Sequence, residues 1–318
     1  MGNIFRFWNQ NRRGIISFIV IIVFVIVFIQ ILNQIAKQRN EREKALNRNT
    51  IVLSENEQKL PTQSSIGGGS VSISETKTNV NLIEEFIEYC NNGNITEAYN
   101  MLTNECKETL FPSESDFKNG YYTLIFTQKR LDDIKQFMSA NNRYTYEVTL
   151  YEDILSNGKA TGGTTYKDNI TIDQNSEKGK LNINSFIYKE NINKYSELNG
   201  VRIQVISKEV YKDNEKINVK IENNTSNEIL MDTRKNANSI YIMGSNNVIY
   251  PASKFEIASS LYTIPANMSR MYKLKFNKLY SSQINTKQIG FLDIVPDNGK
   301  YQQDSRNMNE RIQVVVNL

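Results

Sequence analysis

Between Gly14 and Leu32 the chain carries no charged residue, and from Ile15 to Ile29 only Ser17 interrupts an aliphatic and aromatic run. At ~1.5 Å of rise per helical residue, nineteen positions span about 28 Å, close to the thickness of a bilayer's hydrocarbon core. Residues 14–33 are therefore expected to form a transmembrane helix that contacts membrane lipid, and everything after them must fold close to a membrane. A cleavable signal peptide has a shorter apolar region, about 7–15 residues, and ends at a small-x-small site. Here Gln30, Asn33, Gln34 and Lys37 follow, without such a site, and the first cysteine is Cys90, which excludes a lipobox. Met1-Gly2 would suit myristoylation, but Arg6 stands where Ser or Thr is needed.

Arg6, Arg12 and Arg13 precede the run, with Phe5 and Trp8 placed for an interface; Lys37, Arg39, Arg42, Lys44 and Arg48 follow it. The count of positive charge favours the carboxyl side as cytoplasmic. Arg12 and Arg13 abut the apolar segment directly, however, and long domains translocate largely regardless of flanking charge. The expected topology is a cytoplasmic tail, 1–13, with the remainder of the chain extracytoplasmic in the cell membrane.

The net charge of +4 is misleading about partners. Residues 1–48 hold eight Lys or Arg against Glu41 and Glu43, so the rest of the chain carries −2. The basic residues suit anionic headgroups, and the body has no net attraction for nucleic acid. The chain has no histidine, which removes imidazole-activated nucleophiles, histidine general bases and zinc sites with histidine ligands. Abundant asparagine points to an AT-rich bacterial genome, and Asn-x-Ser/Thr triplets such as Asn94-Ile95-Thr96 are what chance supplies in such a composition.

Residues 34–78 read as a charged stalk and then a tether around Pro61 and Gly67-Gly68-Gly69-Ser70. From Asn79, Val80, Ile83, Phe86, Ile87 and Cys90 recur at helical spacing, with Asn81 and Glu84 as a cap pair and Asn91-Asn92-Gly93 as the stop. A second helix is expected from Thr96, with Tyr99, Leu102, Cys106 and Leu110 on one face, ended by Phe111-Pro112; Ser113 and Asp116 begin a third. From Arg143 the period becomes two, with strands at 143–150, 165–172 and 181–188. This predicts an α+β domain over 79–195. After Leu198 only strand patterns remain. A hairpin turns at 212–215, further strands lie at 239–243, 248–250, 271–276, 290–294 and 312–316, and turn residues separate them, predicting an all-β sandwich over 196–318.

The segment Asn92-Gly93-Asn94-Ile95-Thr96-Glu97-Ala98-Tyr99-Asn100-Met101-Leu102-Thr103, followed by Phe111-Pro112, Asp116-Phe117 and Tyr121-Tyr122, resembles the opening of nuclear-transport-factor-two-like domains. The resemblance covers about residues 79–190. It implies a cone of helices across a curved antiparallel sheet, with a pocket at the wide end. Catalytic members place Asp or His in that pocket; here no residue carries that role over. Ile264-Pro265-Ala266-Asn267 before Tyr272, Leu274 and Phe276 is similar to immunoglobulin-like modules of bacterial surface proteins.

Among candidate constellations, Ser-x-x-Lys occurs at Ser74, Ser115 and Ser156, but without the accompanying motifs of penicillin-recognising enzymes. Cys90 and Cys106, placed on successive helices, are too far apart for a disulfide and are expected as buried thiols. Asp132 and Asp133, adjacent in sequence, face opposite ways. Tyr121, Tyr122, Tyr144, Tyr146 and Tyr166 pack the sheet against the helices or, if the cone is open, line its mouth and grip a peptide or glycan. The sequence thus assigns no catalytic residue, metal or cofactor. It describes a non-catalytic, membrane-anchored binding or assembly module with a protein or cell-wall partner. A scaffold subunit of a conjugation or type IV secretion channel is the alternative within that class, and an envelope enzyme using cone carboxylates the alternative outside it.

Overall fold

The computed structural model describes residues 73–153, 163–175, 179–305 and 309–318. All of these belong to one unit, Leu60–Leu318. The expected anchor at 14–33 and nearly all of the stalk and tether lie outside the described residues. Among the described residues no helix is long and apolar enough to cross a membrane.

The fold is α+β, with few helices and several antiparallel sheets. Helix α1 (Ile73–Asn91) begins earlier than its apolar period. Residues 74–78 are polar and exposed or half-buried, so hydrophobic spacing carries no sign of them, and Asn81 and Glu84 fall inside the helix instead of capping it. Asn79 is buried and donates from Nδ2 to the Tyr146 hydroxyl at 3.1 Å.

The expected second helix is split into α2 (Ile95–Asn100) and α3 (Asn104–Leu110). Between them the backbone is diverted to pair with Leu181: Leu181 N–H donates to Met101 O at 2.9 Å and Thr103 N–H to Leu181 O at 3.0 Å. Thr103 then caps α3, its hydroxyl accepting from Cys106 N–H at 2.9 Å. Such a cap is worth about 1 kcal/mol. Ser113 and Asp116 form the capping box of α4 (Glu114–Phe117). A π-turn, Lys118–Tyr122, and one helical turn, Thr123–Ile125, follow.

Strands β1 (Arg130–Ala140), β2 (Arg143–Glu152) and β3 (Thr165–Asp173) form an antiparallel sheet in that order. Strand β1 has no counterpart among the predicted strands. It is an edge strand with a bulge between Gln136 and Met138, and the bulge breaks the alternation that would reveal it. On β2 Tyr146, Val148 and Leu150 enter the core as expected, but Thr145 and Thr149, expected to face solvent, are buried as well, the Thr145 hydroxyl lying 2.9 Å from that of Thr171. Helices and sheet enclose a cluster built from Ile83, Phe86, Leu102, Phe117, Tyr121 and their neighbours, in which Phe117 lies 5.7–6.3 Å from the rings of Phe86, Tyr99, Phe111 and Tyr121.

The expected strand at 181–188 divides in two. Asn182 bridges to Thr171 beside β3, Asn184 and Ser185 turn at φ 58° and 59°, and β4 (Phe186–Leu198) then joins another sheet. That sheet has the order β11-β6-β5-β4, with β5 (Val201–Tyr211), β6 (Glu215–Asn223) and β11 (Met268–Phe276). Opposite it, β8 (Ile240–Gly244), β9 (Ile249–Pro251), β12 (Thr286–Ile294) and β13 (Ile312–Asn317) make a second sheet in the order β13-β12-β8-β9. A short ladder joins β7 (Ile229–Leu230) to β10 (Thr263–Ile264). Where the sequence reads only a turn, at Pro296 to Gly299, Asp297 caps a short helix α5 (Asn298–Gln303). Both four-stranded sheets contribute to a second apolar cluster, including Ile203, Val219, Ile242, Phe276 and Phe291.

The position between residues 195 and 196, the expected domain boundary, falls within β4, so the chain runs unbroken from the turn at Asn184 and Ser185 into the sheet β11-β6-β5-β4. Phe186 meets Tyr211 edge-on at 5.5 Å, and Lys212 N–H donates to Ser185 O at 3.0 Å. Lys212 also lies 3.5 Å from Glu147 of β2. At this end of the sandwich an ion pair is sealed from water. Lys278 Nζ lies 2.6 Å from Glu215 Oε1, with the side chains 2% and 3% exposed. Lys278 also donates to Ile284 O at 2.9 Å, and Thr286 donates to Glu215 Oε2 at 2.5 Å.

Candidate functional site

The five tyrosines are placed by the cone's core. Tyr121 stacks on Phe117 at 5.8 Å and meets Tyr166 edge-on at 6.5 Å. Its hydroxyl donates to Asp168 Oδ2 at 2.8 Å. The backbone N–H groups of Asn169, Asn184 and Ser185 also donate to Asp168, at 2.6, 2.9 and 2.9 Å. Four donors thus converge on one carboxylate and hold the positive-φ turn at Asn184 and Ser185, where an ordinary side chain needs such support. Burial raises the Asp168 pKa, opposed by those hydrogen bonds. Burial and the neighbouring Asp168 also drive the Tyr121 phenol well above its ordinary value.

Tyr144 and Tyr146 tie β2 to α1. Burial pushes both phenols up to about 12, Tyr144 also through its hydrogen bond to Glu75. Tyr122 is half-buried and stacks on Phe126 at 6.0 Å. Tyr166 is half-buried, with its phenol also at about 12 through burial. A cavity of about 490 Å³ does open beside α1, but Thr78, Asn79, Asn81, Leu82, Glu85, Ile172, Gln174 and Gly179 line it and none of the five tyrosines does. Packing is the role their contacts support. Asp132 and Asp133 sit opposite Leu150 and Thr149, on opposite faces of the sheet, and Asp133 pairs with Lys135 at 2.6 Å. Cys90 and Cys106 are buried free thiols.

A larger concavity, about 860 Å³, lies on the sandwich. One wall is the loop from Asp232 to Ser239. The Asp232 side chain is wholly buried, and its Oδ1 accepts from Arg234 N–H at 2.9 Å and from the Ser239 hydroxyl at 2.7 Å. Its Oδ2 lies 2.8 Å from Lys254 Nζ, which also donates to Ser239 Oγ at 2.6 Å. From β12, Asp293 accepts from Thr233 N–H at 3.2 Å and pairs with Arg311 at 2.6 Å.

Between these two anchored acids the chain passes through Arg234 at φ 62°. The Arg234 guanidinium lies 5.0 Å from the Tyr262 ring centre and donates to Ser259 Oγ at 3.3 Å. Lys235 sits 5.4 Å from the Tyr301 ring. Pro251, Ala252, Ile257 and Ala258 supply an apolar floor. The lining holds three cations, Arg234, Lys235 and Lys254, and no carboxylate. Since Asp232 neutralises Lys254, two positive charges face the opening, and among the described residues neither forms an ion pair.

Sequence reading passed over this site, because its cations are two among many. The available signal was local: Thr233-Arg234-Lys235-Asn236-Ala237-Asn238 is a turn-forming run with adjacent charges between two apolar segments. The arrangement can bind and orient an anionic group; the hydroxyl that stands beside an amine, Ser239 next to Lys254, is buried and donates to Asp232. No protein-family model, curated protein or solved structure matches the chain.

Proposed function

We propose that this protein is a single-pass, membrane-anchored module of the bacterial cell envelope. It holds a nuclear-transport-factor-two-like cone and an immunoglobulin-like sandwich outside the cell for binding or assembly, without chemistry of its own. The observation that carries the non-catalytic part is the state of Asp168. It is one of the cone's buried carboxylates, and Tyr121 together with three backbone N–H groups occupies its oxygens, so a substrate would have to displace structural bonds to reach it; Asp173, equally buried, is paired with Arg143. That weakens the envelope-enzyme alternative. The secretion-channel scaffold explains the anchor and cone but leaves the sandwich without a role.

The membrane part of the reading rests on the apolar run at 14–33, and a tether ending before Ile73, where α1 begins, would raise the local concentration of both modules for a partner at the same membrane. The test is topology. Protease added to intact protoplasts should cut within the tether near Lys59 and release both modules together. Protection of residues 79–318 would place them in the cytoplasm and defeat the proposal. Wild-type function in E85Q, which removes the carboxylate that lines the cavity beside α1, would favour binding, and loss of function in that variant, still folded, would favour catalysis.

A further inference from the structure

We infer that the cleft bounded by Arg234 and Lys235 is a receptor site for an acidic peptide segment. Its carboxylates would pair with these two cations and its apolar side chains would lie on Pro251, Ala252, Ile257 and Ala258. The assignment rests on the binding reading above and names the ligand class.

Charge is the first ground. Residues 49–318 carry −2 in all, yet the cleft concentrates two unneutralised cations with no acid in its lining. Low-dielectric walls focus such a field on an incoming anion. Pre-organisation is the second ground. The αL backbone of Arg234 costs about 1 kcal/mol or more for a side chain of this kind, and buried Asp232 maintains it through the Arg234 N–H. Stacking over Tyr262 then restricts the guanidinium, so less side-chain freedom remains to be lost on binding. A planar guanidinium is also the group best matched to a carboxylate, through paired hydrogen bonds.

Shape selects among anions. A volume of about 860 Å³ is far more than one small ion needs and lies within the range of organic ligand sites. The apolar floor continues along β9, the outer strand of its sheet, because Ile249 shares a strand face with Pro251 and is exposed. Phosphate polymers and anionic membranes are gripped by rows of cations, commonly four or more for a lipid surface. Here there are two, above apolar surface, which suits carboxylates spaced among hydrophobic side chains.

The test uses the full-length chain in non-ionic detergent micelles and a fluorescein-labelled hexapeptide alternating leucine and glutamate, followed by fluorescence anisotropy. Saturable binding is expected, weakened about tenfold by R234Q/K235Q and by glutamine in place of the peptide's glutamates. K194Q, on the exposed face of β4, should bind like the wild type. R234K/K235R, which keeps both charges but loses the stacked guanidinium at position 234, should bind more weakly than the wild type and more tightly than R234Q/K235Q. If the double variant unfolds, K235Q alone should still weaken binding, because the Lys235 side chain forms no ion pair among the described residues. Absence of binding, equal binding of the glutamine peptide, or wild-type affinity in the folded variants would overturn the assignment. So would displacement by phosphatidylglycerol vesicles or polyphosphate without displacement by unlabelled peptide. None of these outcomes bears on the protease accessibility that decides the membrane reading.

Discussion

Replacing Lys278 by methionine is expected to be among the most damaging single changes in the sandwich, although methionine fills nearly the same volume. The ammonium lies 2.6 Å from Glu215, with both side chains no more than 3% exposed. Removing it strands a carboxylate that water cannot reach, retaining one hydroxyl donor from Thr286. Breaking a buried pair from one side costs about 3–5 kcal/mol. Set against a typical total stability of roughly 5–15 kcal/mol, that is about a fifth of the margin or more. At about 2–4 °C per kcal/mol for a unit of this size, K278M should lower the melting temperature by roughly 6–20 °C.

The double variant K278M/E215L removes both charges and should recover most of this loss, since an apolar replacement of a buried pair is often neutral or better. Thr286 would then lack its acceptor, a residual cost of about 1 kcal/mol. Near-UV circular dichroism of the tyrosines, followed through heat and urea unfolding, measures the wild type, K278M, E215L and the double variant. A loss below about 1 kcal/mol in K278M, or a double variant as unstable as the sum of both single variants, would refute the reasoning.

Three further outcomes are expected. Burial pushes the Cys106 thiol up to about 12 and that of Cys90 higher still, so at pH 8 an alkylating reagent should label neither cysteine in the folded protein and both in urea; rapid labelling without denaturant would show the cone to be open. The Asp168 pKa is raised by folding, so its contribution to stability is full below the ordinary carboxylate value near 4 and shrinks as pH rises through the folded value. D168N should lose several kcal/mol from mismatched donors, and the gap between it and the wild type should narrow over that rise; a constant gap in urea titrations would contradict the shift. A methyl group on Gly290 would lie 2.3 Å from the Tyr241 ring, so G290A should cost about 1–3 kcal/mol through overpacking, unless the ring moves freely, which an unchanged urea midpoint would reveal.

Local rules in the sequence were sufficient for most of the sandwich and for the cone's middle. Val201, Ile203 and Val205 alternate with polar residues as Ile217, Val219 and Ile221 do, and a half-buried strand needs little else. Ser113 with Asp116 marks a helix start for an equally local reason. The apolar run at 14–33 is another property of the chain alone, since its hydrophobicity is read without reference to any fold. Pairing across the chain decided the rest. Thr103 ends one helix and begins another because Leu181 takes the intervening backbone, and nothing within 96–110 announces that partner. β1 is visible only through its register with β2. Asp168 and Asp232 read as ordinary acids until four donors surround one and a lysine and a loop close over the other. The cationic cleft follows the same logic: sequence supplies Arg234 and Lys235, but only tertiary structure leaves them without an ion pair among the described residues, because the neighbouring Asp232 is buried and paired with Lys254.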